Sequence, residues 1–142
     1  MSDTEHTVRR LLEDLGSAYE ARDAERALSL FTDDIIFVGT GSDEIRLGHH
    51  QLKAQVERDL AEADQLRATV SDVTAIAGRH GDCAWFCAHL ALDVVADGEP
   101  FRMPMRVTGV AADDGDRWLF RQTHFSLPFG EQAEGRSFPA TT

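Results

Sequence analysis

The chain opens on a helical period. Val8, Leu11, Leu12, Leu15, Ala18, Tyr19 and Arg22 recur at i, i+3, i+4 and i+7, the spacing that aligns one face of an α-helix. Ser2 with Glu5 three residues on has the form of a capping box, and acids at the start suit the positive end of the helix dipole. Asp23 stands where an N-cap would begin a second, shorter helix, with Ala27, Leu28, Leu30 and Phe31 as its buried side. In this reading the pair Asp33-Asp34 ends that helix. Ile35 to Val38 is a short β-prone run, Gly39-Thr40-Gly41-Ser42-Asp43 has loop composition, and Ile45-Arg46-Leu47 reads as a brief second strand. A third helix follows from about His49 to Ala63, with Leu52, Val56, Leu60 and Ala63 on one side.

From Gln65 onward the period changes to two. Strands are expected at about 65–77, 83–95, 100–111 and 117–127, separated by Gly78-Arg79-His80-Gly81-Asp82, Asp97-Gly98 and Asp113-Asp114-Gly115-Asp116. Asp-Gly between alternating runs is a strong hairpin signal, so these four form an antiparallel meander. Helices and strands segregated in this way predict an α+β fold, a curved antiparallel sheet packed on three helices.

Both faces of the long strands carry apolar groups. In 83–95 the even positions are Ala84, Phe86, Ala88, Leu90, Leu92 and Val94, while Trp85, Cys87 and His89 fall on the odd side. Parity groups Phe101, Met103, Met105 and Val107 on one side of 100–111, opposite Arg102, Arg106 and Thr108. In 117–127, Trp118, Phe120, Gln122 and His124 share one side, and Leu119, Arg121, Thr123 and Phe125 the other. One face must cover the helices. A second face bearing Trp85, Phe101, Met103, Met105 and Phe120 is too apolar to stay wet, which predicts a homodimer packed sheet to sheet.

Length and charge narrow the picture. The chain has 142 residues, 42% hydrophobic and 27% charged, which predicts one globular domain over 1–128 and a C-terminal tail over 129–142. Lys+Arg is 14 against Asp+Glu 25, a formal charge of −11, and Lys53 is the single lysine. With no basic stripe, a phosphate backbone or an anionic membrane surface is repelled, and neither nucleic acid nor membrane is expected as a partner. No apolar run reaches the ~20 residues of a membrane span. The N-terminus lacks the apolar stretch of a secretory signal, so a cytoplasmic location is expected. Cys83 and Cys87 stand four apart in a strand, about 13 Å at ~3.3 Å per residue. That is too far for a disulfide, and reduced packing residues are expected.

The layout resembles the nuclear transport factor 2-like superfamily, the cone-shaped, cystatin-like α+β fold that includes SnoaL-like polyketide cyclases and ketosteroid isomerases. The resemblance spans roughly residues 5–128. Its carriers are A18-Y-E-A-R-D23, A27-L-S-L-F-T-D-D-I-I-F37, the loop G39-T-G-S-D-E44 leading to R46-L-G48, and the last strand W118-L-F-R-Q-T-H-F-S126, which is similar to a small bacterial SnoaL-like subgroup. The resemblance implies a ligand pocket inside the cone. It implies either cofactor-independent isomerase, dehydratase or cyclase chemistry, or a non-catalytic sensing or association module. The isomerase positions are not filled: the strand base falls at Gly39, the protonated acid near Arg106 and the helix tyrosine near Leu15.

Candidate residues follow from the pattern and the resemblance together. If the face with Leu90 and Leu92 looks into the cone, parity places Arg106, Thr108, Arg121 and Thr123 there, with Phe125 beside them. Arginines in an apolar cavity would clamp an acidic ligand. Otherwise they pair with Glu44, Asp93 or Asp72 at a sheet edge. Tyr19 is either a pocket hydrogen-bond donor or core. His124 and His89 are candidate acid–base groups, although parity sets them on the expected dimer face. Glu44 is either a base at the cone's mouth or a solvated loop acid. The His49-His50 pair reads as exposed surface, and Ser126 lacks a base that would make it a nucleophile. No metal ligand set and no cofactor motif is present in the sequence.

Overall fold

The computed structural model describes residues 1–140. Helix α1 (Asp3–Glu20) is closed at its start by both arms of the capping box. The Glu5 amide donates to Ser2 Oγ at 3.1 Å, and the Ser2 amide donates to Glu5 Oε1 at 3.0 Å. Asp23 caps α2 (Ala24–Leu28) by accepting from the Arg26 amide. That helix is shorter than its apolar spacing suggests. Phe31 already opens strand β1 (Phe31–Val38), and Asp33 and Asp34 are exposed within that strand instead of ending the helix. They are tolerated there because Phe31, Ile35 and Phe37 anchor the strand in the core on either side of them.

Strand β2 (Ile45–Leu47), helix α3 (Gly48–Glu62), and strands β3 (Gln65–Ala77), β4 (Cys83–Ala96), β5 (Glu99–Asp113) and β6 (Trp118–Ser126) complete the fold. The six strands form one sheet in the order β2-β1-β6-β5-β4-β3. Every pairing is antiparallel except β1 with β6, which is parallel, so the sheet is mixed. Helix α1 packs on β3 and α3 on β1, leaving the inner face of the sheet to close a core of Val8, Leu12, Ile35, Leu52, Val107 and Phe120. Gly16 permits the approach of α1 to β3, since a Cβ there would stand 2.9 Å from that of Ala68. Beyond Ser126 the described chain holds no helix or strand, and residues 141 and 142 of the expected tail lie outside the described residues.

Two local features decide which side chains face inward. Asp97 and Gly98 both have positive φ, 53° and 77°, the geometry of a two-residue hairpin turn that suits the twist of its strands. Such a turn pairs Ala96 with Glu99, so even positions of β4 oppose odd positions of β5. Residues opposed across a ladder share a face. Leu90 and Met105, Leu92 and Met103, and Val94 and Phe101 are therefore inner pairs, while His89–Arg106 and Cys87–Thr108 are outer ones.

The second feature is a bulge in β6. Val110 opposes Gln122 but Ala111 opposes Phe120, which leaves Arg121 as the extra residue. Phe120, Thr123 and Phe125 all point inward as a result, and Arg121 and His124 outward. Phe120 is fully buried between Phe31 and Phe86, with ring centroids 5.2 and 6.0 Å away.

These features correct the face assignments made from parity. Arg106, Thr108 and Arg121 lie on the exposed outer face, not in the cone. Of the five residues expected on an outward apolar face, Trp85 alone is there; Phe101, Met103, Met105 and Phe120 look inward. The outer face nevertheless carries its own apolar row. In register across all six strands run Ile76, Trp85, Val110, Gln122, Ile36 and Leu47. No helix among the described residues is long and apolar enough to cross a membrane.

Candidate functional site

Between α1, α3, the β1–β2 loop and the inner face of the sheet lies a cavity of about 630 Å³. Most of its wall is apolar, with Phe37, Leu90, Leu92, Met103, Met105 and Phe125 presented by four strands. Its polar end is built by Tyr19, Glu44 and Asp59. Tyr19 reaches it because the last turn of α1 continues the buried stripe of Leu12 and Leu15. Asp59 reaches it from α3, seven residues after the buried Leu52 and three after the buried Val56.

The polar end is a connected chain of hydrogen bonds. Arg46 Nε donates to Gln55 Oε1 at 3.0 Å, and Gln55 Nε2 donates to Asp59 Oδ1 at 2.7 Å. Tyr19 donates its hydroxyl to Asp59 Oδ2 at 2.9 Å. Gln55 is buried and therefore needs both partners, which fixes its amide orientation. Burial raises the Asp59 carboxyl above its ordinary value, against the pull of its bonds from Gln55 and Tyr19. Burial, reinforced by the Asp59 charge, pushes the Tyr19 phenol well above its ordinary value. At neutral pH Tyr19 keeps its proton.

Glu44 enters from the loop. The Gly39 amide donates to the Glu44 carbonyl at 2.7 Å, and the Glu44 amide donates to the Gly41 carbonyl at 3.0 Å. Its carboxylate folds over Gly39 and Gly41, where a Cβ on either glycine would collide with it. Arg58 holds it from outside the cavity through Nη2 to Oε2 at 3.0 Å, while Nη1 of the same guanidinium binds Asp43 at 2.8 Å. With its side chain 20% exposed, Glu44 is not a freely solvated loop acid.

Tyr19, Glu44 and Phe125 of the sequence-derived candidates thus meet in one cavity. His89 and His124 do not: both are exposed on the outer face, and His89 Nδ1 lies 2.8 Å from Asp72 at a bulge in β3. Arg121 binds the exposed Asp34 at 3.1 Å, lowering that carboxyl together with the Thr32 hydroxyl, whose bond contributes most. Arg106 and Thr108 are exposed beside these groups. His49 is not a free surface residue, since its Nε2 lies 2.7 Å from the Phe31 carbonyl oxygen; His50 is exposed. Cys83 is half-buried and Cys87 exposed, both as free thiols.

Sequence reasoning missed Asp59. The signal was available: a carboxylate stands at a position that the Leu52–Val56–Leu60 stripe assigns to the interior.

A six-stranded curved sheet closed over three helices, with a cavity inside the cone, defines the nuclear transport factor 2-like class. Residues 8–130 match the SnoaL-like domain family, and the chain belongs to it. Among solved structures, the fold is similar to that of a proposed aromatic ring hydroxylase from Novosphingobium aromaticivorans, with a TM-score of 0.81 and 16% identity over 89% of this chain and 90% of that one. A proposed dehydratase of the nuclear transport factor 2-like family from Streptomyces avermitilis gives 0.79 and 16%, over 89% and 98% of the two chains. A proposed calcium/calmodulin-dependent protein kinase II association domain from Xanthomonas campestris gives 0.78 and 18%, over 87% and 86%. No curated protein sequence matches the chain. At these identities the structural likeness establishes fold and leaves chemistry to the site.

Proposed function

We propose that the chain binds a small organic molecule in the cone and performs a cofactor-independent proton transfer on it, of the isomerase, dehydratase or cyclase kind. The observation that carries this reading is the Tyr19–Asp59 hydrogen bond at the inner end of a mostly apolar cavity, with the Glu44 carboxylate beside it. Asp59 and Glu44 are the available bases. A carboxyl raised by burial is a stronger base than a solvated one, which suits removal of a weakly acidic substrate proton. Tyr19, protonated at neutral pH, is the group that can turn from Asp59 to a substrate oxygen and polarise it. Two solved structures of similar fold, named as a proposed dehydratase and a proposed scytalone dehydratase, are in line with this class of chemistry.

Hydrogen–deuterium exchange tests the reading. Small cyclic ketones in deuterated buffer, followed by proton NMR, are expected to exchange their α-hydrogens faster with the wild type than with Asp59→Asn or Glu44→Gln. Equal exchange by wild type and both folded variants would refute a carboxylate base here.

A non-catalytic ligand-sensing or association module is the competing reading. It is favoured by one observation, namely that Asp59 is already bound by Tyr19 and Gln55, and Glu44 by Arg58. The exchange measurement separates the two.

We further propose that two copies pair through the outer face of the sheet. The exposed row of Ile76, Trp85, Ile36 and Leu47 is apolar, with Trp85 49% and Ile76 52% exposed. Charges on the same face are already matched in Arg102–Asp93 and Arg121–Asp34. In a chain of net charge −11, a face with balanced charges is where a second copy meets least repulsion.

A further inference from the structure

We infer that the ligand of this cavity is an organic cation, a protonated amine carrying an apolar or aromatic body. The inference rests on the cavity being the binding site proposed above and concerns what that site selects. The ionisable groups lining the cavity besides Tyr19 are Glu44, Asp59, Glu62, Asp64 and Asp97. All five are acids, and no arginine, lysine or histidine joins them. Glu44 and Asp59 are half-buried at the inner end, whereas Glu62, Asp64 and Asp97 are exposed at the rim. A cation entering the cavity meets negative charge at the mouth and again at the inner end, between apolar walls that weaken screening relative to open solvent.

Hydrogen-bond polarity agrees with charge. The side-chain hydrogens at the inner end are committed: Tyr19 and Gln55 donate to Asp59, and Arg58 donates to Glu44 and Asp43. What faces a ligand there is the lone pairs of two carboxylates and of a phenol oxygen, a set that accepts from an ammonium, whereas a carboxylate gains a donor only when Tyr19 gives up its bond to Asp59. The apolar wall also suits a cation. Phe101 at the mouth and Phe125 within offer ring faces, and Met103 and Met105 offer polarisable sulfur.

The nearby cations offset part of this charge and leave it negative, because Arg58 is shared among Asp43, Glu44 and Glu62. Arg22 is held by the Leu60 and Ala63 carbonyls that end α3, and Arg102 by Asp93. Together with Arg67 they line an adjoining groove of about 700 Å³ and not the cavity. The acids do not converge on a point either. Among the described residues, no three His, Cys, Asp or Glu side chains are placed to hold a metal ion. That distribution fits a cation spread over an organic body.

Three probes of one shape test the inference: 4-phenylbutylammonium, 4-phenylbutanol and 4-phenylbutanoate. Each is titrated at neutral pH and low salt into protein carrying ¹³C-methyl methionine, because Met103 and Met105 line the cavity and report occupancy directly. The expected order is ammonium, then alcohol, then carboxylate, with the ammonium at least about tenfold tighter than the carboxylate. Glu44→Gln and the rim variant Asp97→Asn are each expected to weaken the ammonium several-fold more than the alcohol. A carboxylate binding as tightly as the ammonium would overturn the charge selection while leaving the cavity a binding site. An ammonium preference unaffected by both variants would overturn the assignment of that preference to these acids. If none of the probes moves the Met103 and Met105 methyls, the binding reading itself fails.

Discussion

Replacing Tyr19 by Phe removes one oxygen from the site and leaves the ring in place, so its effect isolates the bond to Asp59. A hydrogen bond to a charged acceptor contributes about 1.5–3 kcal/mol, and the half-buried setting argues for the lower end, ~1.5 kcal/mol. That bond favours the ionised carboxylate, so its loss raises the Asp59 pKa further. Asp59 is an acid whose folded pKa already lies above its unfolded value. Between those two values the folded chain binds more protons than the unfolded one, and stability falls as pH rises. The variant extends that window upward. Its stability deficit is therefore fully present above the folded pKa and shrinks as the pH falls through it and Asp59 protonates. Urea unfolding of both proteins at about pH 7 and about pH 4 measures the difference, and a ¹³C carboxyl titration locates Asp59 directly. An Asp59 that titrates at the same pH in both proteins, or a deficit equal at both pH values, would refute a bond to an ionised carboxylate.

Phe120→Ala opens the core where three aromatic rings meet, and a loss of about 3–5 kcal/mol in urea unfolding is expected; a loss below ~1 kcal/mol would mean that the β6 bulge does not seat Phe120 inward. Trp85→Glu places a charge in the middle of the outer apolar row. Light scattering after size exclusion is expected to show a dimeric wild type and a monomeric variant with unchanged cavity binding, and a monomeric wild type would remove the proposed pairing.

The elements were legible because their determinants are local. The α1 stripe and its capping box, the Asp23 cap, the α3 stripe and the Asp97-Gly98 turn each declare themselves within a few residues. The facing of the strands was harder, since it depends on counts that run across turns. The two-residue turn carried the needed information: when it pairs Ala96 with Glu99, even positions of one strand oppose odd positions of the next, and Met105 joins Leu90. Strand β6 offered no such signal. Its extra residue at Arg121 is fixed by how β6 fits between β5 and β1, a tertiary condition that no local pattern encodes. The site divided along the same line. Glu44 drew notice from its loop and Tyr19 from its helix, whereas Asp59 gained its meaning only when Tyr19, forty positions away, came within 2.9 Å.

The Asp97-Gly98 turn also bears on how chain length is constrained. Adding or removing one residue there would shift β5 by one place against β4, and every side chain of β5 would change sides. Arg102, Arg106 and Thr108 would then enter the cone, while Met103, Met105 and Val107 would meet solvent. The cavity would exchange its methionine wall for two arginines without a single substitution. The connections at 78–82 and 114–117 can absorb length in their longer arcs. Natural variants of this chain should therefore differ in size at those loops and keep the two-residue turn, unless a bulge like that at Arg121 restores the register.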